Sequence, residues 1–408
     1  MKKIGSRAMG QAFSFILLMG IVSMFSDMTH EGARSIYGVY LTIAGASAAT
    51  IGFVSGLGEL VGYSFRLVAG FIADKKKNYW TMTLIGYAFN MLAIPAIALV
   101  PENGWKIACV LIVLERMGKA IRYPAKNTLV SFAATQYGHG KSFAVQEFLD
   151  QLGAFIGPVI VYLVIQMQKG TADFGTYALA FGVLGIPALL TLLTLLLAKA
   201  RFPQPEKMDV SKEAGDRKWL RPSFVLYMVS TCFLALGFAD FPLITMHIFK
   251  QGIFAADLLP ILYAGAMAAD AVSALAFGWM FDRWGIRVLI ISTALSAFFS
   301  FFIIGLGSAA AAIFGIALWG IGMGAQESVL KSVVSAIIPK GSRATSFGLF
   351  ETAFGVSWFL GSWLMGMLYD RSPHALVAFS IAAQLAAIPF FYLTYRRHRL
   401  DEAAGKAA

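Results

Sequence analysis

Long apolar segments occupy most of this sequence and leave only short polar breaks between them. We predict twelve membrane-spanning helices, at residues 12–41, 47–73, 79–100, 105–134, 143–168, 175–198, 222–249, 254–280, 286–306, 309–337, 344–369 and 373–395. A spanning helix needs about 20 mainly apolar residues, so 408 residues hold about twelve spans and no long soluble domain. Only 13% of the residues are charged, against roughly 25% in soluble domains. The sequence therefore predicts an all-α membrane protein.

Basic residues collect in alternate loops. One set of loops, together with both ends of the chain, carries most of them, including Lys75-Lys76-Lys77, the cluster in residues 199–221, Arg283, Arg287 and Arg396 to Arg399. The opposite loops hold only Lys106, Lys169, Lys250 and Arg371. By the positive-inside rule, we expect a multi-pass protein of the cytoplasmic (inner) membrane with both termini in the cytoplasm. The rule also explains the net charge of +11 without a nucleic-acid partner.

The two halves of the chain share a pattern. Ser142-Phe143, Glu147 and Gly157 in the fifth span match Ser346-Phe347, Glu351 and Gly361 in the eleventh, each 204 residues later. Phe25-Ser26-Asp27 in the first span also matches Phe238-Ala239-Asp240 in the seventh. These repeats predict two six-helix bundles, at residues 1–198 and 222–408, joined by a polar cytoplasmic linker at 199–221.

Several short motifs carry a resemblance to a known family. Gly70-Phe71-Ile72-Ala73-Asp74-Lys75-Lys76-Lys77-Asn78 follows the second span, and Gly278, Asp282, Arg283 and Gly285 follow the eighth. The fourth span contains Arg116 and Gly118, and the fifth contains Gly153-Ala154-Phe155-Ile156-Gly157-Pro158. In these motifs, and over essentially its whole length, the sequence resembles the major facilitator superfamily. It departs from the family pattern in lacking the second glycine of the first loop and the glycine pair after Pro158.

The resemblance implies two bundles related by pseudo-two-fold symmetry and secondary transport by alternating access. Glycines let helices approach closely, and an aspartate there caps the next helix or pairs with a basic residue. We therefore expect gating roles for Gly70, Asp74, Gly278, Asp282 and Arg283, the alternative being solvated loops that only set topology. Gly153, Gly157 and Pro158 resemble a motif associated with antiporters, but a role in packing alone would also explain them.

Charged side chains inside the predicted spans are the main signal of function. A lipid-facing charge at mid-bilayer costs roughly 3 kcal/mol, so these groups must pair or line a hydrated cavity. Asp27, Glu31 and Arg34 share one helical stripe, and a basic stripe runs down the fourth span. We predict proton-coupling or substrate-binding roles for Asp27, Glu31, Arg34, Arg116, Lys119, Arg122, Glu147, Asp150, Asp240 and Glu327. Glu351 repeats Glu147 in the second half, which favours a shared structural or gating role for this pair.

These features predict a secondary transporter that exports a small amphipathic molecule by proton antiport, with protons carried by Asp27 or Glu31. The alternative is proton-coupled uptake or exchange of an organic anion or phosphorylated metabolite, favoured by the excess of basic groups in the fourth span. The expected partners are the lipid bilayer, a small-molecule substrate and protons, and we expect a monomer.

Other functional classes fit the sequence less well. The five histidines are scattered over unrelated depths, and both cysteines lie in apolar segments. We therefore predict no enzymatic activity, no cofactor and no metal site. The chain also lacks a phosphate-binding loop for ATP. Two dissimilar halves suit a rocking transporter better than a passive channel.

Overall fold

The computed structural model describes residues 6–137, 139–169, 173–208, 222–337 and 343–407. The α-helices in these ranges are α1 Ser6–Ile43, α2 Ala48–Lys76, α3 Tyr79–Ala96, α4 Trp105–Tyr137, α5 His139–Met167, α6 Phe174–Val183, α7 Gly185–Arg201, α8 Pro222–Gly237, α9 Phe241–Lys250, α10 Leu259–Trp284, α11 Arg287–Ser296, α12 Ala309–Ala325, α13 Lys331–Ile337, α14 Arg343–Arg371 and α15 Pro373–Ala407. Most of the predicted linker, residues 209–221, lies outside the described part of the chain.

The helices account for the predicted spans. The pairs α6 with α7, α8 with α9, and α12 with α13 each form one span in two pieces. Within the described chain, ten helical segments are long and apolar enough to cross a membrane. The helices α4 and α14, with 33 and 29 residues, are also long enough to span the bilayer. The predicted all-α membrane fold is therefore confirmed.

Three spans depart from regular α-helix. The seventh is interrupted between Gly237 and Phe241, and Pro242 stands in the first turn of α9. Proline lacks an N–H and disfavours the helical conformation of the residue before it, so a helix can restart here but not run through. Residues Phe301–Gly305 and Gln326–Leu330 form π-helical turns in the ninth and tenth spans. Such turns are rare and occur often at functional sites.

The helix ends also differ from the prediction. The last helix continues to Ala407, whereas the predicted span ends at 395. Residues beyond the span are mainly arginine, leucine, glutamate, alanine and lysine, all strong helix formers, so the helix persists after the apolar segment stops.

The described residues fall into two compact units. The first contains the described residues of 1–44 and 64–213, and the second those of 45–63 and 214–408. The first half of α2 thus packs within the second unit, against α14. Asp370 near the end of α14 accepts hydrogen bonds from the backbone N–H groups of Ala48 (3.2 Å) and Ala49 (2.9 Å). A carboxylate at this position satisfies unpaired donors of the first turn and interacts favourably with the helix dipole.

Glycines set the closest helix contacts in each unit. In the first unit, a Cβ added at Gly153 or Gly157 would collide with the backbone carbonyl groups of Met24 and Met28 in α1. In the second, a Cβ at Gly361 of α14 would lie 2.7 Å from the carbonyl carbon of Leu236 in α8. Gly157 and Gly361 are the repeat-related glycines, so the contact between the first and fifth spans recurs between the seventh and eleventh. Backbone contact of this kind is typical of membrane helices, where packing replaces the hydrophobic effect.

Candidate functional site

The site in the first unit depends on a close crossing of α3 and α4. A Cβ at Gly86 would lie 2.6 Å from the Arg122 nitrogen and 2.8 Å from the Gly118 carbonyl oxygen. A Cβ at Gly118 would lie 2.7 Å from the Gly86 carbonyl oxygen. Only glycine allows the two backbones to approach this closely. The crossing places polar side chains of α3 directly against charged side chains of α4.

Asn90 is the centre of this polar cluster. It is fully buried, and its Nδ2 donates to the Glu115 backbone oxygen (3.1 Å) and to Glu115 Oε1. Its Oδ1 accepts from Arg122 Nε (3.2 Å) and from Ser26 Oγ (3.4 Å). One carboxamide therefore links a carboxylate to a guanidinium and joins α1, α3 and α4.

Arg122 is a buried cation that is surrounded by neutral groups. Its Nη1 donates to Tyr87 Oη (2.9 Å) and its Nη2 to Ser26 Oγ (3.0 Å), and the guanidinium lies 4.2 Å from the centroid of the Tyr87 ring. Only 3% of the residue is exposed. A phenol, an alcohol and a carboxamide satisfy its donors without cancelling its charge. The arginine thus has the donors and the charge to attract an anion.

A second row of charged groups runs through His30. The imidazole is fully buried, with Nδ1 2.9 Å from Glu115 Oε1 and Nε2 3.6 Å from Glu31 Oε1. Arg34 Nη1 lies 3.8 Å from Glu31 Oε2, and Arg116 Nε lies 3.7 Å from Glu115 Oε2. The order is arginine, glutamate, histidine, glutamate, arginine. We refer to Arg34, Glu31, His30, Glu115 and Arg116 as the histidine chain.

Asp27 lies near the histidine chain and is half-buried. It is close enough to interact electrostatically with Asp150, Lys119, Arg122 and Glu31. Asp150 has a buried Oδ1 that accepts no hydrogen bond from a described residue. Lys126 is buried, bonds through Nζ to Ser23 Oγ, and interacts with both Asp150 and Asp27. The predicted acids of α1 and α5 therefore approach the basic stripe of α4.

The second unit has its own buried carboxylate at the break in the seventh span. Asp240 precedes α9, is 1% exposed, and its Oδ2 accepts a hydrogen bond from Trp358 Nε1 (3.1 Å). The carbonyl groups freed by the break are also satisfied, because Trp319 Nε1 donates to Ala239 O (2.8 Å) and Ser380 Oγ to Gly237 O (2.7 Å). The interruption is thus a fully bonded element of the fold.

Three predicted acidic residues lie away from these clusters. Glu147 is exposed, and its Oε1 accepts a hydrogen bond from its helical neighbour Gln151 (3.3 Å). The structure does not bring it to the basic stripe as we expected, because it lies on a different face of α5 from the buried Asp150 Oδ1. Glu327 is exposed in the second π-helical turn, and Glu351 is half-buried on α14.

The predicted gating residues show little close packing in this structure. A Cβ at Gly278 would meet nothing within 4 Å, and one at Gly70 would make ordinary contact with Pro124 at 3.6 Å. The expected close helix approach at these two glycines is therefore wrong for this conformation, and it is found instead at Gly153 and Gly157. Pro158 is buried in α5. Arg283 is exposed and stacks on Trp279 (4.0 Å), whereas the side chains of Asp74 and Asp282 lie outside the described part of the structure.

Sequence reasoning missed several members of the site. Tyr87 and Asn90 stand in an otherwise apolar span, and their polar groups were a signal that some partner must satisfy them. His247, which we expected at the surface because it is near a helix end, is 2% exposed, and its Nδ1 lies 2.9 Å from Tyr369 Oη. Neither site holds a metal-type cluster: among the described residues, no group of three or more His, Cys, Asp or Glu side chains is placed to bind a metal ion.

Comparison with known proteins identifies the family. The family model described as Major Facilitator Superfamily matches residues 8–361 and 224–408. An uncharacterised protein of Mycobacterium tuberculosis is 37% identical over 387 residues, covering 93% of both chains. An uncharacterised MFS-type transporter of Methanocaldococcus jannaschii is 26% identical over 394 residues, covering 93% of this chain and 94% of its own.

Solved structures show the same fold. A nucleoside transporter matches with a TM-score of 0.74 at 13% identity, covering 94% of this chain and 99% of its own. A D-xylose–proton symporter matches with a TM-score of 0.71 at 14% identity, covering 93% of this chain and 97% of its own. With a matching family model over nearly its whole length and this fold, the chain belongs to the major facilitator superfamily and is a secondary transporter.

Proposed function

We propose that this transporter couples movement of its solute to protons, and that it exports a small amphipathic molecule from the cytoplasm by proton antiport. The proposal extends to the location: the cytoplasmic membrane, with both termini in the cytoplasm. The observation that carries proton coupling is the histidine chain, in which one fully buried imidazole lies between two carboxylates. Antiport is further supported by the glycine–proline motif of α5.

The histidine chain has the chemistry of a proton site. An imidazole binds or releases a proton near neutral pH and can accept it on one nitrogen while donating from the other. Here the two nitrogens face different carboxylates, so a proton can pass between Glu31 and Glu115 through His30. The flanking arginines favour the ionised form of each carboxylate, so proton loss leaves paired charges and not bare ones.

Asp27 is the natural entry to this chain. It is half-buried, whereas His30 and Glu115 are fully buried, and it interacts electrostatically with Glu31. A group with partial access to a cavity can exchange protons with water, and the buried imidazole cannot do so directly. In this proposal, Asp27 and Glu31 exchange protons with the cavity and His30 relays them.

Proton coupling can be tested in proteoliposomes. A thermal-shift screen of purified protein against metabolites and drugs identifies a substrate, and a pH-sensitive dye then reports whether that substrate collapses an imposed pH gradient. We expect His30→Gln and Asp27→Asn to keep substrate binding but to lose gradient collapse. Glu102→Gln removes an exposed loop carboxylate and is the matched control. Coupling of wild-type size in either His30→Gln or Asp27→Asn would remove that residue from the mechanism.

The direction of transport needs a separate measurement. Everted vesicles with an acidic interior drive accumulation by an antiporter, whereas a symporter accumulates substrate when protons run inward in right-side-out vesicles. Accumulation only in the second arrangement would contradict export. Slower conformational exchange after Asp74→Asn, with binding retained, would support the predicted gating role of that loop.

A second candidate function is uptake or exchange of an organic anion, and Arg122 favours it. Its three hydrogen-bonding side chains are neutral, and the half-buried Lys119 lies in the same cluster. If the substrate is an anion, Arg122→Gln should weaken its binding by at least tenfold, because a charged hydrogen bond contributes about 1.5–3 kcal/mol. An uncharged or cationic ligand from the same screen should bind Arg122→Gln with little change.

A further inference from the structure

Two arginines converge on one tyrosine near the ends of two spans in the second unit. Arg287 begins α11, donates from Nη2 to Tyr395 Oη in α15, and lies 4.4 Å from the centroid of the Tyr395 ring. Arg399, one turn beyond Tyr395, donates from Nη1 to the same oxygen at 3.2 Å. A single phenol oxygen therefore holds two positive groups side by side. We refer to Arg287, Tyr395 and Arg399 as the arginine–tyrosine cluster.

The arginine–tyrosine cluster carries more positive charge than its own contacts balance. Both arginines are exposed, as are Arg396 and Arg397 on the same helix. Two guanidinium groups that share a neutral acceptor repel each other, and an anion beside both would convert that repulsion into attraction. Each guanidinium has five N–H donors, and the phenol uses one from each and still has its own proton to donate. The N-terminus of α11 adds partial positive charge.

The position of the cluster indicates where the anion comes from. Arg287 is the first residue of the candidate span Arg287–Gly305, and Arg399 is the penultimate residue of Pro373–Leu400. The ends of such apolar segments lie at the level of lipid headgroups. Arginine also suits phosphate in particular, because its planar donors match pairs of phosphate oxygens.

An apolar stripe continues from the cluster towards the membrane interior. Ile291 and Leu295 follow Arg287 at intervals of four residues, so they share its face of α11, and they are 44% and 45% exposed. On α15, Tyr392 and Leu385 are 53% and 37% exposed, respectively one and two turns or more before Arg399. Acyl chains can cover these side chains, whereas a free phosphate ion cannot.

We propose that the arginine–tyrosine cluster binds the phosphate of an anionic phospholipid, with the acyl chains lying along the apolar stripe. The phosphodiester carries one negative charge and accepts hydrogen bonds from both guanidinium groups and from the phenol. This site is separate from the polar clusters of the first unit and does not depend on the solute that is transported.

Native mass spectrometry of the purified full-length protein tests this site. Dioleoylphosphatidylglycerol and dioleoylphosphatidylcholine are titrated into wild type, into Arg287→Gln/Arg399→Gln, and into the control Arg201→Gln. Arg201 is also an exposed arginine at the end of a span, and it faces the Phe202 ring at 5.9 Å. We expect wild type and the control to prefer phosphatidylglycerol. The double variant should lose at least tenfold in affinity, since each arginine near an anionic lipid contributes about fivefold.

Two outcomes would overturn the proposal. One is phosphatidylglycerol binding by the double variant that equals binding by Arg201→Gln. The other is competitive displacement of the lipid from wild type by millimolar inorganic phosphate, which would identify a free-phosphate site. If the double variant does not elute as folded protein in size-exclusion chromatography, Arg399→Gln alone decides the question, with a fivefold loss expected.

Discussion

Replacing Gly157 by alanine tests whether direct backbone contact holds α1 and α5 together. The ideal Cβ at this position lies 2.9 Å from both the Gly32 nitrogen and the Met28 carbonyl carbon, and closer still to the Met28 oxygen. Ordinary contacts between such atoms begin near 3.5 Å, so the helices must separate by about half an ångström. Overpacking of this kind costs about 1–3 kcal/mol.

Gly265→Ala is the matched control for this measurement. Gly265 is exposed within α10, and a Cβ there would meet nothing within 4 Å. Both substitutions replace a helical glycine by alanine, a gain in helix propensity of about 1 kcal/mol that cancels in the comparison. We expect Gly157→Ala to be less stable than Gly265→Ala by about 1–3 kcal/mol, or roughly 2–6 °C in Tm.

Thermal unfolding in detergent, followed by tryptophan fluorescence, measures the difference. The contact also fixes Asp27 of α1 relative to Asp150 of α5, so transport should slow together with the loss of stability. Equal Tm values for the two variants would refute the argument, because they would mean that α1 and α5 relax without cost.

Three further substitutions have outcomes set by single hydrogen bonds. Asn90→Ala removes an acceptor from Arg122 and a donor from Glu115, and should lower stability by about 2 kcal/mol in the same assay, whereas an unchanged Tm would show that the cluster re-pairs. Asp370→Ala leaves the first N–H groups of α2 without their carboxylate and should cost about 0.5–2 kcal/mol, with a smaller loss for Asp370→Asn. Trp358→Phe removes one donor from the buried Asp240 carboxylate and should cost about 1–3 kcal/mol, which a wild-type denaturation curve would contradict.

The spans could be predicted from the sequence because the bilayer imposes one strong rule. Every segment of about 20 apolar residues must form its hydrogen bonds internally, which leaves the helix as the only local choice. The break in the seventh span was harder to predict, since Phe238 and Ala239 continue the apolar pattern up to Asp240. Pro242 was a visible signal, but proline also occurs inside α3, α4 and α5 without interrupting them.

The candidate site could be predicted only in part. A helical stripe shows that Glu31 and Arg34 share a face, and they do approach each other. It does not show which helix that face meets, so the partnership of Asn90 with Glu115 was hidden. That partnership depends on the crossing of Gly86 with Gly118, and a crossing point is a property of two helices together. The same limit explains Glu147, whose spacing from Asp150 suggested a shared environment that the neighbouring helices do not provide.

The docking of the first half of α2 on α14 has a consequence for any attempt to study the halves as separate fragments. A polypeptide that starts after the linker, at residue 222, lacks residues 45–63. It would carry a bare strip on α14, where Gly355, Phe359 and Gly366 normally meet Tyr63, Gly56 and Ala48. Small residues and backbone would face lipid there, which invites self-association or degradation. Co-expression with the complementary fragment should rescue it, and a fragment that ends before residue 45 should not.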